Sequence, residues 1–295
     1  MRPTPTPLRY PGGKAWLTNY VESFICYNRL NVDTIVEPYG GSAAVSIRLL
    51  QRGIVKQAFI SETDPLIVAF WKTVIERNKE LIEYVNSYEV NLDTWHLFKR
   101  YISTNEMPKH NEIELAGAFL FLNRTSYSGI LKAGPLGGKN QASKYKIDCR
   151  FNKIAIAKKI SEIARLEDKI HIVESDGLEF MKKMATASVN NPLFYVDPPY
   201  YGAGKLLYRH YFEEQDHVNL SHFLKFFNLP WLLSYDNAEF IKNLYEGSES
   251  SSVYTDYQSG HFKKGVKELL ISNKPIPPFK SVAVLNNYAR EQILL

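Results

Sequence analysis

Residues 34–45 read TIVEPYGGSAAV. A short strand-like run, Thr34 to Glu37, ends in an acid; a proline, a tyrosine and two glycines follow, and a small apolar run then opens a helical pattern. Gly40 and Gly41 allow a sharp turn and let the backbone approach a ligand closely. Strand, glycine-rich turn and helix in that order form the nucleotide-binding device of open α/β sheets. No Gly-Lys-Ser/Thr follows, so this turn is not a phosphate loop.

The same rhythm extends along the chain. Short apolar, β-branched or aromatic runs lie at 33–38, 57–62, 169–174, 193–197 and 231–235, with helix-like stretches at 42–52, 65–86, 177–185 and 215–228. This alternation predicts a doubly wound α/β sheet, mostly parallel. Runs at 252–257 and 266–272 predict a hairpin on one edge, antiparallel at the C-terminal end. Residues 76–160 break the pattern, with helical stretches at 81–101 and 112–122 and a Gly-, Lys- and Asn-rich segment at 128–146. The expected organisation is a catalytic domain from 1–75 and 161–280, a mainly helical insert at 76–160 and a tail at 281–295.

Acids mark the ends of the predicted strands. Glu62 ends the second, about 20 residues after the first, where a ribose diol is held in such folds. Thr63 or Asp64 can cap the helix that follows. Asp176 follows the third strand and could accept an adenine amino group, while Glu37 can accept from an ammonium or hydroxyl. Such acids without a phosphate loop suit a nucleoside lacking phosphates.

The fourth strand runs into Asp197-Pro198-Pro199-Tyr200-Tyr201. Two prolines fix φ and remove two amide donors, so the Asp197 carboxylate and Pro198 carbonyl can stand as paired acceptors. An exocyclic NH2 group needs two acceptors at one point, and Tyr200 would offer a ring for stacking. The stretch reads either as a clamp for a planar amine or as a Pro-rich turn with packing tyrosines. A nucleoside site beside it favours the clamp.

Composition sets bounds on these readings. No apolar run approaches the ~20 residues of a membrane span, and the N-terminus lacks an apolar signal core, which predicts a cytoplasmic protein. Cys26 and Cys149 make neither a disulfide framework nor a metal site. Between Arg124 and Lys159 nine basic residues face one acid, Asp148, which is the footprint of a polyanion partner or a solvated lysine face. His210 and His217 read as structural, and Phe223, Phe226 and Phe227 as core. Tyr208, Arg209 and Tyr211 follow the clamp, where they could touch the same partner.

An ordered set of motifs now carries a resemblance: LRYPGGK (8–14), VEPYGGSAAV (36–45), ISETDPLIVAFWKTV (60–74), FLFLNRTSYSG (121–129), VESDGLEF (173–180), VDPPYY (196–201), LLSYDN (232–237) and KKGVKELLISN (263–273). The chain resembles the Dam-type, D12 class DNA adenine-N6 methyltransferases of the α group from about residue 8 to 274. The resemblance implies a Rossmann-like methyltransferase sheet, S-adenosylmethionine as cofactor, no metal, and methylation of a flipped-out adenine in double-stranded DNA. Tyr10, Lys14, Glu37, Tyr39, Gly41, Glu62, Asp176, Gly177 and Asp197 would then meet the cofactor, and Asp197, Pro198 and Tyr200 the target base. Arg124, Ser128, Lys132, Lys139, Lys144 and Lys146 would meet DNA, and Lys263, Lys264, Lys267 and Glu268 fill the family's basic-acidic element. A bacterial or phage source, a restriction endonuclease acting on the same site and a monomeric state accord with that reading.

Two departures stand out. Tyr39 and Ala43 replace the Phe and last Gly of the family's F-x-G-x-G turn. Ser128-Gly129 and Lys132 stand where enzymes that modify GATC carry Asn-Gly and Arg, and Lys cannot reproduce bidentate guanine readout. Cytosine-N4 transfer and a catalytically inactive DNA-binding relative are the alternatives. Cytosine-C5 transfer is excluded, because neither Cys26 nor Cys149 adjoins a proline.

Overall fold

Strand-forming runs at regular intervals, each apolar on both sides, can only be buried in a sheet covered on both faces. A computed structural model shows this, describing residues 4–9, 14, 16–259 and 262–278, with backbone alone for 253–259 and 262–267. In chain order the elements begin with α1 (Thr18–Tyr27), β1 (Thr34–Glu37), α2 (Ala44–Gln51), β2 (Gln57–Glu62), α3 (Pro65–Glu76), α4 (Asn78–Ser87), α5 (Leu92–Tyr101), α6 (Glu112–Thr125) and α7 (Lys153–Ala164). They continue with β3 (Ile170–Glu174), α8 (Gly177–Thr186), β4 (Pro192–Val196), α9 (Gly204–Leu207), α10 (Glu214–Lys225), β5 (Trp231–Asp236), α11 (Glu239–Leu244), β6 (Glu249–Ser259) and β7 (Phe262–Ser272).

The sheet order is β3-β2-β1-β4-β5-β7-β6. The first five strands run parallel, and β7 is antiparallel to both β5 and β6, which is the predicted hairpin. Strand order reverses between β1 and β4, so a crevice opens where their C-terminal ends part. Successive residues alternate faces: Ile35, Leu193, Tyr195 and Leu232 join one apolar cluster, and Val36, Phe194, Val196 and Leu233 the other. Helices α1 to α7 contribute to the first cluster and α8, α10 and α11 to the second.

The predicted helix over 65–86 is two helices, because Arg77 leaves helical geometry at φ −137°. On α3 nearly every side chain is buried, whereas α4 buries only Leu81 and Val85, so the chain must reorient between them. Residues 76–160, expected as an insert, share one core with the sheet. On α6, Phe119, Leu120, Phe121 and Leu122 are all buried in the cluster that holds Ile35 and Ile60, each contributing roughly 1.5–3 kcal/mol. Phe226, expected in the core, is 70% exposed, because α10 ends at Lys225 and Phe226 forms its C-cap.

Candidate active site

Four of the five parallel strands deliver an acid to the crevice, Glu37, Glu62, Asp176 and Asp197. Glu37, last in β1, is buried and accepts from the Ser46 amide at 3.2 Å and from its hydroxyl. Burial pushes its carboxyl up to about 8, against the opposing Ser46 hydrogen bonds. Glu62, last in β2, accepts from the amides of Gly41 (3.0 Å), Thr63 (2.8 Å) and Asp64 (3.0 Å). Its carboxyl is also raised by burial. Asp64 caps α3 through the Leu66 amide at 3.0 Å, as the sequence allowed. Asp176 caps α8, its Oδ1 taking the amides of Leu178 (2.9 Å) and Glu179 (3.0 Å).

The glycine turn is braced from behind. Gly40 packs so tightly that a Cβ there would come within 2.4 Å of the Ile60 side chain. Trp71 of α3 donates its indole N–H to the Gly41 carbonyl at 2.9 Å, a tie to which sequence reading assigned no role. Ala43, at the family's last glycine position, caps α2 in the left-handed region at φ 46°. A methyl is therefore carried where glycine would be unstrained. Gly177 lies behind Tyr39, where an added Cβ would fall 2.3 Å from the tyrosine ring, and it does not line the cavity.

At the tip of β4 sits a buried polar network. Asp197 Oδ1 accepts from Lys14 Nζ at 2.8 Å and from Ser234 Oγ at 2.8 Å. Its Oδ2 has no donor among the described residues. Lys14 is 3% exposed and also donates to the Tyr200 hydroxyl at 2.8 Å, which donates in turn to Glu268 at 2.6 Å. Burial alone would lower the Lys14 ammonium, but Asp197 and Glu268 more than offset that and hold it above the ordinary lysine value. Glu268 is itself pushed up by burial. Asp236, last in β5, accepts the amides of Tyr201 and Gly202, both at 2.9 Å, and so fixes the turn that follows the prolines.

Tyr200 therefore departs from expectation. Its ring is 9% exposed, and its hydroxyl is drawn inward by two charged partners, Lys14 and Glu268. Pro199 and Tyr208, not Pro198 or Tyr200, line the cavity. Ser234, Asp236 and Trp71 are among the site residues to which the sequence alone assigned no role. The only signal for the first two was a pair of polar residues inside the apolar run WLLSYD.

These elements enclose a cavity of about 800 Å³. Lys14, Glu37, Tyr39, Gly41, Glu62, Asp176 and Asp197 all line it, so the structure brings these predicted residues together. Tyr10 lies outside the described residues. Carboxyl groups from Glu37, Glu62, Asp176, Glu179, Asp197 and Asp216 outnumber the lysines, Lys14 and Lys182. That donor set fits S-adenosylmethionine, which carries an ammonium and a sulfonium, hydroxyls on a ribose and no phosphate. His217 is buried, with Nδ1 against the Tyr235 hydroxyl, and is structural; His210 lines the cavity.

The basic residues of the insert divide into two groups. Arg124 turns inward and donates to the Arg150 carbonyl at 2.7 Å and the Pro7 carbonyl at 3.2 Å, so its guanidinium braces the fold and does not face outward as expected. Burial, with Arg9 and Arg150 nearby, lowers its pKa to about 10. Lys132 donates to the Lys205 carbonyl at 3.0 Å, and Lys146 to the Gln141 carbonyl. Lys139 and Lys144 are exposed. Ser128 takes a left-handed conformation at φ 55° beside Gly129, where a Cβ would meet the Arg9 carbonyl at 1.9 Å. Asn123 holds both sides of this junction, pairing with the Arg9 amide (2.8 Å) and carbonyl (2.9 Å).

Comparison with known proteins agrees with this arrangement. Type II methyltransferase M.MjaIII of Methanocaldococcus jannaschii is 26% identical over 291 residues, spanning 90% of this chain and 98% of its own. Type II methyltransferase M.CviBI of Paramecium bursaria Chlorella virus NC1A is 22% identical over 253 residues, spanning 85% and 88%. A solved methyltransferase complexed with SAH matches at a TM-score of 0.26 and 11% identity over 43% of this chain and 30% of its own, too slight a likeness to weigh. The profile of the D12 class N6 adenine-specific DNA methyltransferases matches residues 10–258. The chain thus belongs to the D12 class N6 adenine-specific DNA methyltransferase family, enzymes that transfer a methyl group from S-adenosylmethionine to DNA.

Proposed function

We propose that the cavity takes one adenine swung out of double-stranded DNA and holds its amino group on Asp197, beside the cofactor. The observation that carries this is the one-sided bonding of Asp197, a cavity-lining residue whose Oδ1 accepts from Lys14 and Ser234 while Oδ2 has no donor among the described residues. An aromatic amine is a poor nucleophile because its lone pair is delocalised into the ring. Acceptance of an amino proton by Asp197 Oδ2 favours a pyramidal nitrogen, a preorganised effect of a few kcal/mol. Lys14 orients Asp197, and Tyr200, between Lys14 and Glu268, fixes Lys14. After transfer the nitrogen must shed a proton, and Oδ2 is the acceptor already in contact.

Glu37, Tyr39 and Gly41 would hold the methionine end of S-adenosylmethionine, Glu62 its ribose, and Asp176 its adenine, with Gly177 giving room behind Tyr39. Glu62 accepts three amides and has room for about one more donor on its two oxygens. When bound, the cofactor supplies an electrophilic methyl group on a sulfonium. The insert, residues 76–160, would grip the duplex through Lys139 and Lys144, with Ser128 and Lys132 near the base edges, while 1–75 and 161–280 carry the chemistry. The type II designation of the relatives supports a cognate restriction endonuclease as partner. No helix among the described residues is long and apolar enough to cross a membrane, in keeping with work on cytoplasmic DNA.

Asp197→Asn keeps the shape and removes the charge. Methyl transfer to DNA should fall about 10²–10³-fold, as for loss of one preorganised electrostatic group. Cofactor and DNA affinities, measured by calorimetry and fluorescence anisotropy, should stay near wild type. A variant that transfers methyl groups at the wild-type rate would remove Asp197 from the mechanism.

A further inference from the structure

Glu268 is a buried acid whose charge has no part in the chemistry described above. It sits on β7 opposite Asp236 of β5, is 1% exposed and does not line the cavity. Its Oε1 accepts from the Tyr200 hydroxyl at 2.6 Å. Its Oε2 has no hydrogen-bond partner among the described residues and lies 3.8 Å from Lys14 Nζ. Lys14 therefore faces two carboxylates, Asp197 at 2.8 Å and Glu268 at 3.8 Å. Burial pushes the Glu268 carboxyl up, Lys14 and the Tyr200 hydroxyl draw it down, and Asp197 and Asp236 push it up again. Burying two carboxylates against one ammonium costs more desolvation than an ion pair requires. Folding alone gives no reason for the second acid.

We propose that Glu268 is a positioning residue that offsets the charge of Lys14, so that Lys14 orients Asp197 without weakening it as an acceptor for the target amine. This rests on the reading of Asp197 given above. As the amino nitrogen takes a methyl group it becomes positive, and an ammonium just behind Asp197 opposes that charge in a site of low dielectric. Asp197 and Lys14 alone make a neutral couple. With Glu268 ionised, two carboxylates stand against one ammonium, and the group as a whole is negative. Glu268 lies behind Tyr200 and away from the cavity, so its charge reaches the site without competing for the ligand's donors. The Tyr200 hydroxyl, committed as a donor to Glu268, is left to accept from Lys14 at 2.8 Å, which keeps the ammonium between its two acids.

The test is the single-turnover rate of methyl transfer to DNA across pH, with S-adenosylmethionine and DNA saturating so that titration of Glu37 and Glu62 drops out. Glu268→Gln keeps an acceptor for Tyr200 and removes the charge. Its rate should fall about tenfold, the order of effect that one unit charge exerts across a partly buried site. Dissociation constants for S-adenosylmethionine and DNA should stay within about twofold of wild type, since the charge acts on the transition state. The wild-type rate should fall as pH drops through the raised Glu268 value, because protonation removes the same charge, and Glu268→Gln should lose that inflection. The titratable groups facing Glu268 are Lys14, Tyr200, Asp197 and Asp236. Lys14 and Tyr200 are both held above their ordinary values and do not titrate on the acid side. Tyr200→Phe deletes the hydroxyl but leaves Glu268 facing Lys14, and should keep the inflection. A wild-type rate in Glu268→Gln, an inflection that survives in it, or none in wild type overturns the proposal. So does a loss in Glu268→Gln accompanied by early melting and weakened cofactor binding, which makes Glu268 a brace. Asp197→Asn separates this from the reading beneath it. Full activity in Asp197→Asn removes Asp197 itself, whereas a strong loss there with none in Glu268→Gln removes Glu268 alone.

Discussion

Glu37 shows how a single residue can be tuned by its surroundings. Its carboxyl, buried at the end of β1, is pushed up to about 8 and so holds its proton near neutrality when no cation lies beside it. The proton makes up for lost hydration, and ionisation as pH rises from the unfolded value near 4.5 toward 8 withdraws that contribution to stability. A bound ammonium favours the carboxylate. Cofactor affinity should therefore climb as pH rises toward about 8, and fall above it as the ligand's own α-amino group, of pKa about 7.7–8.0, loses its charge. Calorimetric titration from acid to alkaline pH checks this, and Glu37→Gln should abolish the rising limb. Ala43 shows a residue choice that runs against its backbone. At φ 46° its methyl costs roughly 1–2 kcal/mol, which the surrounding turn must hold in place.

Among the elements, α3 ties the glycine turn to α6. Its N-terminus is capped by Asp64, its Trp71 holds the Gly41 carbonyl, and its apolar surface packs against α6. Trp71→Phe keeps the aromatic volume and deletes the donor, leaving a buried carbonyl unpaired at a cost of about 1–3 kcal/mol. The variant should melt earlier in calorimetry and bind S-adenosylmethionine more weakly, with little change in DNA affinity. Unaltered cofactor binding would show that the glycine turn holds its shape without the indole. The positions of β1 to β5 were legible because each strand is a short apolar run, the first four closed by an acid, and a buried parallel strand has few other ways to read. The break at Arg77 was not legible. It reflects what surrounds α3, and helical propensity barely changes across the junction.

At the scale of the whole molecule, charge separates two surfaces. The cavity is rich in carboxyl groups and suits a cationic cofactor, while Lys139 and Lys144, in the segment 76–160, are exposed. Reversing both lysines to Glu should weaken DNA binding and reduce the slope of log affinity against log salt by about two, at roughly 0.9 per phosphate contact. Cofactor affinity should not move. Arg124→Ala should instead lower the melting temperature, since its guanidinium braces the backbone at Pro7 and Arg150. The sequence by itself determined the sheet, its C-terminal hairpin, the acids at the strand ends and the family, because strand patterning and closely spaced motifs are local. Only the tertiary structure decided that Tyr200 turns inward to Lys14 and Glu268, that Ser234 and Asp236 complete the Asp197 turn, and that Arg124 faces the interior. Those outcomes join residues far apart along the chain, and the direction a side chain takes depends on the partners that folding brings to it.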